Sequence, residues 1–168
     1  QITIAKEAEC ADIFSYVLDG TKYWVLLGAS DIYVVGVFEN GRFVQKTQEK
    51  QLNIAGVNYA AQSFSGVAGG RVVRIAWHIL NAPANNFASQ MSFPTEMSLE
   101  KSGDEIYLAS APIKEIERLY VNGGELCNLS LAKAQKVETG AAALDIAFTM
   151  PYIHGEKLVI NMFGTDLA

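Results

Sequence analysis

Charge is scarce in this 168-residue chain: Asp, Glu, Lys and Arg make up 18% of it, against 50% hydrophobic residues. That balance excludes a disordered tail and a coiled coil, which need far more charge. Basic clusters are missing as well. Lys and Arg are scattered, the net charge is −5 and the pI is near 5.0, so nothing here attracts a phosphate backbone or an anionic membrane surface. Neither nucleic acid nor membrane is an expected partner. A neutral substrate such as a sugar is compatible with this surface.

Metal-ligand and disulfide patterns are absent too. The two cysteines, Cys10 and Cys127, make no disulfide framework and no metal spacing. Both are expected to be buried free thiols, which leaves the redox compartment open. His78 and His154 lie far apart without Cys at ligand intervals, so no metal site is expected. No uncharged apolar run is long enough to span a bilayer, and Asp31 interrupts the best one, residues 23–38. A starting Met and a signal-peptide pattern are also lacking. Beginning in mid-pattern at Gln1, the chain is expected to be processed or truncated, with a secreted or periplasmic setting favoured over a cytoplasmic one.

What is present is strand signal. Tyr23-Trp24-Val25-Leu26-Leu27 and Ile32-Tyr33-Val34-Val35-Gly36-Val37-Phe38 are rich in β-branched and aromatic residues and bounded by turn formers. Asn40-Gly41 between Phe38 and Phe43 predicts a tight hairpin, because both central positions must accept positive φ. Gly69-Gly70 and Ser102-Gly103-Asp104 separate further strand pairs. Residues 113–120 alone read as helical, with Ile113, Ile116 and Tyr120 on one face and Pro112 at the start. Beyond Asn122-Gly123-Gly124 the texture changes: Leu144, Ile146 and Phe148 alternate with polar or small residues, and another strand is predicted over 157–163. The fold class is all-β and antiparallel, propeller or sandwich, with a boundary near residue 120. The second part, 121–168, is too short for a complete sandwich with a sound core.

Three segments then form an ordered series. Glu9-Cys10-Ala11-Asp12-Ile13-Phe14 comes first, Tyr59-Ala60-Ala61-Gln62-Ser63-Phe64 second, and Ala76-Trp77 ends the strand-like run that follows. Met91-Ser92-Phe93-Pro94-Thr95-Glu96-Met97-Ser98-Leu99 and Ala111-Pro112-Ile113 continue the order. Together they resemble the back half of the catalytic domain of glycoside hydrolase family 32, the invertases, levanases and inulinases. The resemblance runs from Glu9 to about Tyr120. It implies the C-terminal part of a five-bladed β-propeller over residues 1–120 and the beginning of a β-sandwich over 121–168. It also implies retaining hydrolysis of a β-fructofuranosidic bond in sucrose, levan or inulin, with no cofactor.

Retaining hydrolysis needs two carboxyl groups about 5–5.5 Å apart, one as nucleophile and one as acid then base. The resemblance gives the acid/base role to Glu9, which must hold a proton when the glycosidic oxygen leaves. Asn58, Tyr59, Trp77 and Cys10 are the substrate-contacting candidates it implies, Tyr59 at the fructosyl subsite and Trp77 offering a flat apolar face to a sugar ring. Strand alternation, by contrast, reads Cys10 as a buried packing residue facing away from Glu9. It likewise turns Asp12 away from Glu9, to order the local backbone, and sets Tyr59, Ala61 and Ser63 on one face. Glu96 reads as a structural hydrogen-bonding or ion-pairing residue.

The chain departs from the family pattern at Ala11 for Pro, Asn58 for an acidic residue, Ala76 for Gly and Thr95 for Arg. The motifs that carry the family's nucleophilic aspartate lie well before its Glu-Cys motif, and here only eight residues precede Glu9. The expectation is a chain inactive by itself, whose exposed strand edges seek an N-terminal segment or a second copy. Two alternatives stand beside the hydrolase: a fructosyltransferase, and a non-catalytic carbohydrate-binding or interaction module on the same scaffold.

Overall fold

The structure, a computed structural model, describes residues 9–53, 58–80 and 88–125, together with 127, 136, 138, 140, 144–147, 149, 151, 154, 160–162 and 165–167. The chain divides into two compact units, Gln1–Gly123 and Gly124–Ala168. All the sheets described are antiparallel.

In the first unit, β1 (Asp12–Leu18), β2 (Thr21–Leu27), β3 (Ile32–Glu39) and β4 (Arg42–Gln45) form one sheet in that order, and β5 (Lys50–Gln51) pairs with β3. Turn chemistry sets the register. Asn40-Gly41 closes the β3–β4 hairpin with φ of 50° and 75°, the positive pair the sequence predicts. Tyr33 is flanked by Leu27 on one side and Lys50 on the other, so β4 and β5 share an edge of β3. Thr47 fills the gap between them: its Oγ1 accepts the Val35 N–H at 3.0 Å, replacing a missing ladder bond.

The second sheet holds β6 (Asn58–Ser63), β7 (Val72–His78), β8 (Gln90–Met91), β9 (Thr95–Ser102) and β10 (Glu105–Pro112), in the order β10-β9-β7-β6 with β8 on β7. The same device recurs where β8 gives way to β9. Ser92 accepts the Ala76 N–H through Oγ at 3.0 Å and returns its own N–H to the Ala76 carbonyl at 2.8 Å. Gly69 and Gly70 shape a 3₁₀ turn, Ala68–Gly70, and Gly103 (φ 59°) opens the β9–β10 turn. Residues 113–120 are helical, as the sequence predicts, but not α-helical. They make a 3₁₀ segment, Lys114–Leu119, with i→i+3 bonds at Ile116 and Tyr120. So short a stretch does not recover the cost of α-helix nucleation.

Alternation brings the two sheets face to face. Phe14, Val25, Leu27, Tyr33 and Val35 from the first pack with Met97, Leu99 and Leu108 from the second. Each such burial contributes about 1.5–3 kcal/mol before entropy. Polar ties cross the same interface. The Tyr33 hydroxyl accepts the Leu108 N–H at 2.9 Å, and Arg74 on β7 forms a buried bidentate pair with Asp31 in the β2–β3 loop. Glu96 is ion-paired, as its sequence context suggests: Arg71 reaches both Glu96 and Glu115 at 2.7 Å.

In the second unit, β11 (Ile160–Met162) and β12 (Thr165–Leu167) form an antiparallel pair. Residues 144–147, where alternation predicts a strand, lie outside regular structure. The rest of the strand predicted over 157–163 lies outside the described residues.

Candidate active site

The site grows from the point where β1 begins. Glu9 and Cys10 occupy a bend ahead of the strand, and Asp12 is the first strand residue. Cys10 has φ 48°, a left-handed backbone that costs a side-chain-bearing residue about 1–2 kcal/mol. Two expectations are corrected here. Cys10 is exposed, as is Cys127, because period-two alternation does not extend into a bend. For the same reason, alternation says nothing about the direction of Glu9 relative to Asp12.

Asp12 does order the local backbone. Its Oδ2 accepts the Ser63 N–H at 2.7 Å, and its Oδ1 accepts the Ser63 hydroxyl at 3.1 Å and the Ile13 N–H at 2.9 Å. Both oxygens are therefore engaged, and the start of β1 is fastened to the end of β6.

Strand β6 itself carries a bulge. Asn58 faces His78 and Tyr59 faces Trp77, but the register then shifts, so that Gln62 faces Ile75 and Ser63 faces Arg74. Ala60 takes φ 52° and gives its N–H to the Ala29 carbonyl at 2.9 Å rather than to the ladder. The predicted common face of Tyr59, Ala61 and Ser63 is thus broken. The extra residue places Gln62, not Ala61, on the side of Tyr59.

From that side, β6 meets the Glu9-Cys10 bend. The Tyr59 hydroxyl donates to Glu9 Oε2 at 2.9 Å, and Gln62 Nε2 donates to the Cys10 carbonyl at 2.8 Å. Trp77 stands beside Tyr59 edge-on, ring centroids 6.2 Å apart at 75°, and remains 45% exposed. Glu9, Tyr59 and Trp77 therefore come together: an exposed carboxylate, a phenol bonded to it and an adjoining open aromatic face. Asn58 does not join them. It lies across from His78 on the other side of the strand, and among the described residues no hydrogen bond links it to Glu9.

An exposed carboxylate held by a phenol can give and take a proton at a group resting on the aromatic surface beside it. The sequence motif that holds Gln62 and Ser63 assigns no hydrogen-bonding part to either. Their roles depend on the bulge, for which a run of Ala-Ala carries no signal. The Asp31–Arg74 pair was missed as well, although each is a lone charge inside an apolar stretch, which was the available sign.

Comparison with known proteins gives three likenesses. The description "Glycosyl hydrolases family 32 N-terminal domain" matches residues 3–111. A levanase from Bacillus sp. (strain L7) is 27% identical over 138 residues, covering 66% of this chain and 14% of the levanase. The crystal structure of an exo-inulinase from Aspergillus awamori superposes with a TM-score of 0.52 at 22% identity, over 62% of this chain and 25% of that one. The chain thus spans a small part of the length of either relative. The likeness to the exo-inulinase is one of fold, and the antiparallel sheets are consistent with part of that family's propeller.

Proposed function

The chain belongs to glycosyl hydrolases family 32, and from that membership we propose that it carries the acid/base half of a retaining β-fructofuranosidase site, with Glu9 as the proton donor. The observation that carries this reading is the 2.9 Å bond from the Tyr59 hydroxyl to Glu9 Oε2, beside the exposed face of Trp77. The substrate is a fructoside of the sucrose, levan or inulin type, stacked on Trp77 with its glycosidic oxygen toward Glu9. In the first step Glu9 protonates the leaving oxygen while a second carboxylate attacks the anomeric carbon. In the second step Glu9 takes a proton from water as the fructosyl-enzyme ester breaks. Cys10 contributes its backbone, through the carbonyl that Gln62 holds.

In this scheme Asp12 has a structural part, its three hydrogen bonds from Ser63 and Ile13 fastening the start of β1 to the end of β6. The nucleophile belongs to a further segment of the complete enzyme, and the 168-residue chain alone does not release fructose. On this reading residues 1–120 are the C-terminal part of the propeller, and residues 121–168 open the β-sandwich. The outer strand edges associate with that further segment or with a second copy.

Glu9→Gln in the complete enzyme tests the assignment. With a natural fructoside, the fructosylation rate should fall by about 10²–10⁴-fold, the usual worth of general acid catalysis. A fructoside whose leaving group needs no protonation should fructosylate nearly normally. Equal loss on both substrates removes Glu9 from the acid role, and full activity of both points to a non-catalytic binding module.

A further inference from the structure

Glu9 sits in a bend with no regular backbone pairing of its own, yet its carboxylate meets Tyr59 at 2.9 Å. The neighbouring Cys10 adopts a left-handed backbone, a conformation that persists only where its surroundings impose it. Two attachments to β6 supply that constraint. Two residues beyond Cys10, the Asp12 carboxylate is taken by the Ser63 amide and hydroxyl. At Cys10 itself, the Gln62 amide donates to the carbonyl oxygen at 2.8 Å and places another bond on its own neighbour, the Ala61 carbonyl, at 2.9 Å. One primary amide thereby ties the bend to the strand.

The bulge makes this possible. In an unbroken strand Tyr59 and Gln62 would point to opposite faces. The extra residue, pinned by the Ala60–Ala29 bond, turns both toward the bend, so one holds the carboxylate and the other the adjacent backbone. We propose that Gln62 is a positioning residue: by holding the Cys10 carbonyl it fixes the turn that aims Glu9 at the Tyr59 hydroxyl. As a positioning role for the acid/base group, this rests on the reading of Glu9 given above. The geometry it asserts is testable without any turnover.

The test uses the 168-residue chain with ¹³Cζ-labelled tyrosine, followed by NMR as pH is lowered through the carboxylate range. Tyr59 is assigned with Tyr59→Phe. A hydroxyl bonded to Glu9 makes the Tyr59 resonance step as Glu9 takes up its proton, and Glu9→Gln abolishes that step. The same control discounts the other ionisable groups of the elements meeting here: Cys10 in the bend, Asp12 and Tyr16 on β1, and Arg74 and His78 on β7. Gln62→Met keeps the length of an exposed side chain and removes the donor, so the step should be lost. Gln62→Lys restores an N–H donor of sufficient reach, so the step should return.

A step that persists in Gln62→Met, is lost in both variants, or is missing from the unaltered chain overturns the proposal. The leaving-group comparison on Glu9→Gln is independent of this outcome. Should it fail while the NMR pattern holds, the acid/base reading falls and the positioning of Glu9 by Gln62 stands.

Discussion

Arg74 and Asp31 meet end to end in the interior, Nη1 to Oδ1 at 2.6 Å and Nη2 to Oδ2 at 2.9 Å, with side-chain exposures of 4% and 0%. The pair fastens the β2–β3 loop to β7. That loop also presents the Ala29 carbonyl that holds the Ala60 bulge. This ion pair therefore supports the strand geometry that brings Tyr59 and Gln62 to Glu9.

Breaking this pair from one side leaves a buried charge without its partner. Asp31→Ala or Arg74→Ala should each cost about 3–5 kcal/mol in urea unfolding of the chain. The double replacement Asp31→Leu with Arg74→Met should lose much less, since it removes both charges. It also removes Arg74 Nε, a buried donor without an acceptor among the described residues. Single variants that unfold at the same urea concentration as the parent would contradict a buried, mutually dependent pair.

Tyr16 presents the opposite case. Its hydroxyl is buried without a hydrogen-bond partner among the described residues. Burial first, and the nearby Glu96 charge second, push its phenol above the ordinary range. Tyr16→Phe deletes an unsatisfied group and keeps the ring that meets Phe14 edge-on at 5.9 Å. Stability should rise by about 1 kcal/mol, near the low end of the desolvation cost of such a group. A fall in the thermal midpoint would show that the hydroxyl has a stabilising role.

How much of this was legible in the sequence depends on how local each feature is. Asn40-Gly41 announces its hairpin because two adjacent positive φ values select those residues and few others. Glu9, Tyr59 and Trp77 stand in motifs, and the fold brings the three together. Gln62 was hidden by the bulge. Strict alternation assigns it to the wrong face, and what breaks alternation is a backbone bond from the Ala60 N–H to the Ala29 carbonyl, which no side chain announces. Cys10 failed for a related reason: the strand starts later than the motif does. The Asp31–Arg74 pair needed the two sheets to be docked before either charge had a meaning.

Gly36 marks a close approach between strands. A Cβ there would strike the Phe43 ring and come within 2.5 Å of the Val44 carbonyl oxygen, and a backbone oxygen in a β-ladder has little room to retreat. Gly36→Ala should destabilise the chain by about 1–3 kcal/mol, the usual cost of overpacking. The denaturation midpoint reads this directly, and an unchanged midpoint would mean that β4 moves aside freely.

Arg71 holds Glu115 through two hydrogen bonds at 2.7 and 3.1 Å, and these bonds, ahead of all other influences, lower the Glu115 carboxyl from 4.5 to about 2. A carboxyl that is more acidic folded than unfolded adds stability above the unfolded value. That contribution is lost as pH falls through the folded one. It should therefore be intact above pH 4.5 and disappear between 4.5 and about 2. Solvent screening keeps it small, because Glu115 is well exposed. Glu115→Gln should flatten the dependence of stability on pH within that window and leave the dependence above it unchanged. A slope unaltered below pH 4.5 would mean that the pair persists in the unfolded chain or contributes nothing.

Tyr59→Phe in the complete enzyme probes the bond on which the functional proposal depends. The ring and its edge contact with Trp77 remain, and the donor to Glu9 Oε2 is lost. A hydrogen bond to a charged group is worth about 1.5–3 kcal/mol, so kcat on a natural fructoside should fall by about 10–100-fold, with little change in KM. Because the hydroxyl acts through Glu9, the loss should follow the leaving group as it does for Glu9→Gln, but in smaller measure. A fructoside that needs no protonation should again be nearly spared in the fructosylation step. In the Glu9→Gln background, Tyr59→Phe should add little, since the group it orients is already disabled. Fully additive losses in that double variant would separate Tyr59 from Glu9 and assign the tyrosine a role of its own in holding the sugar.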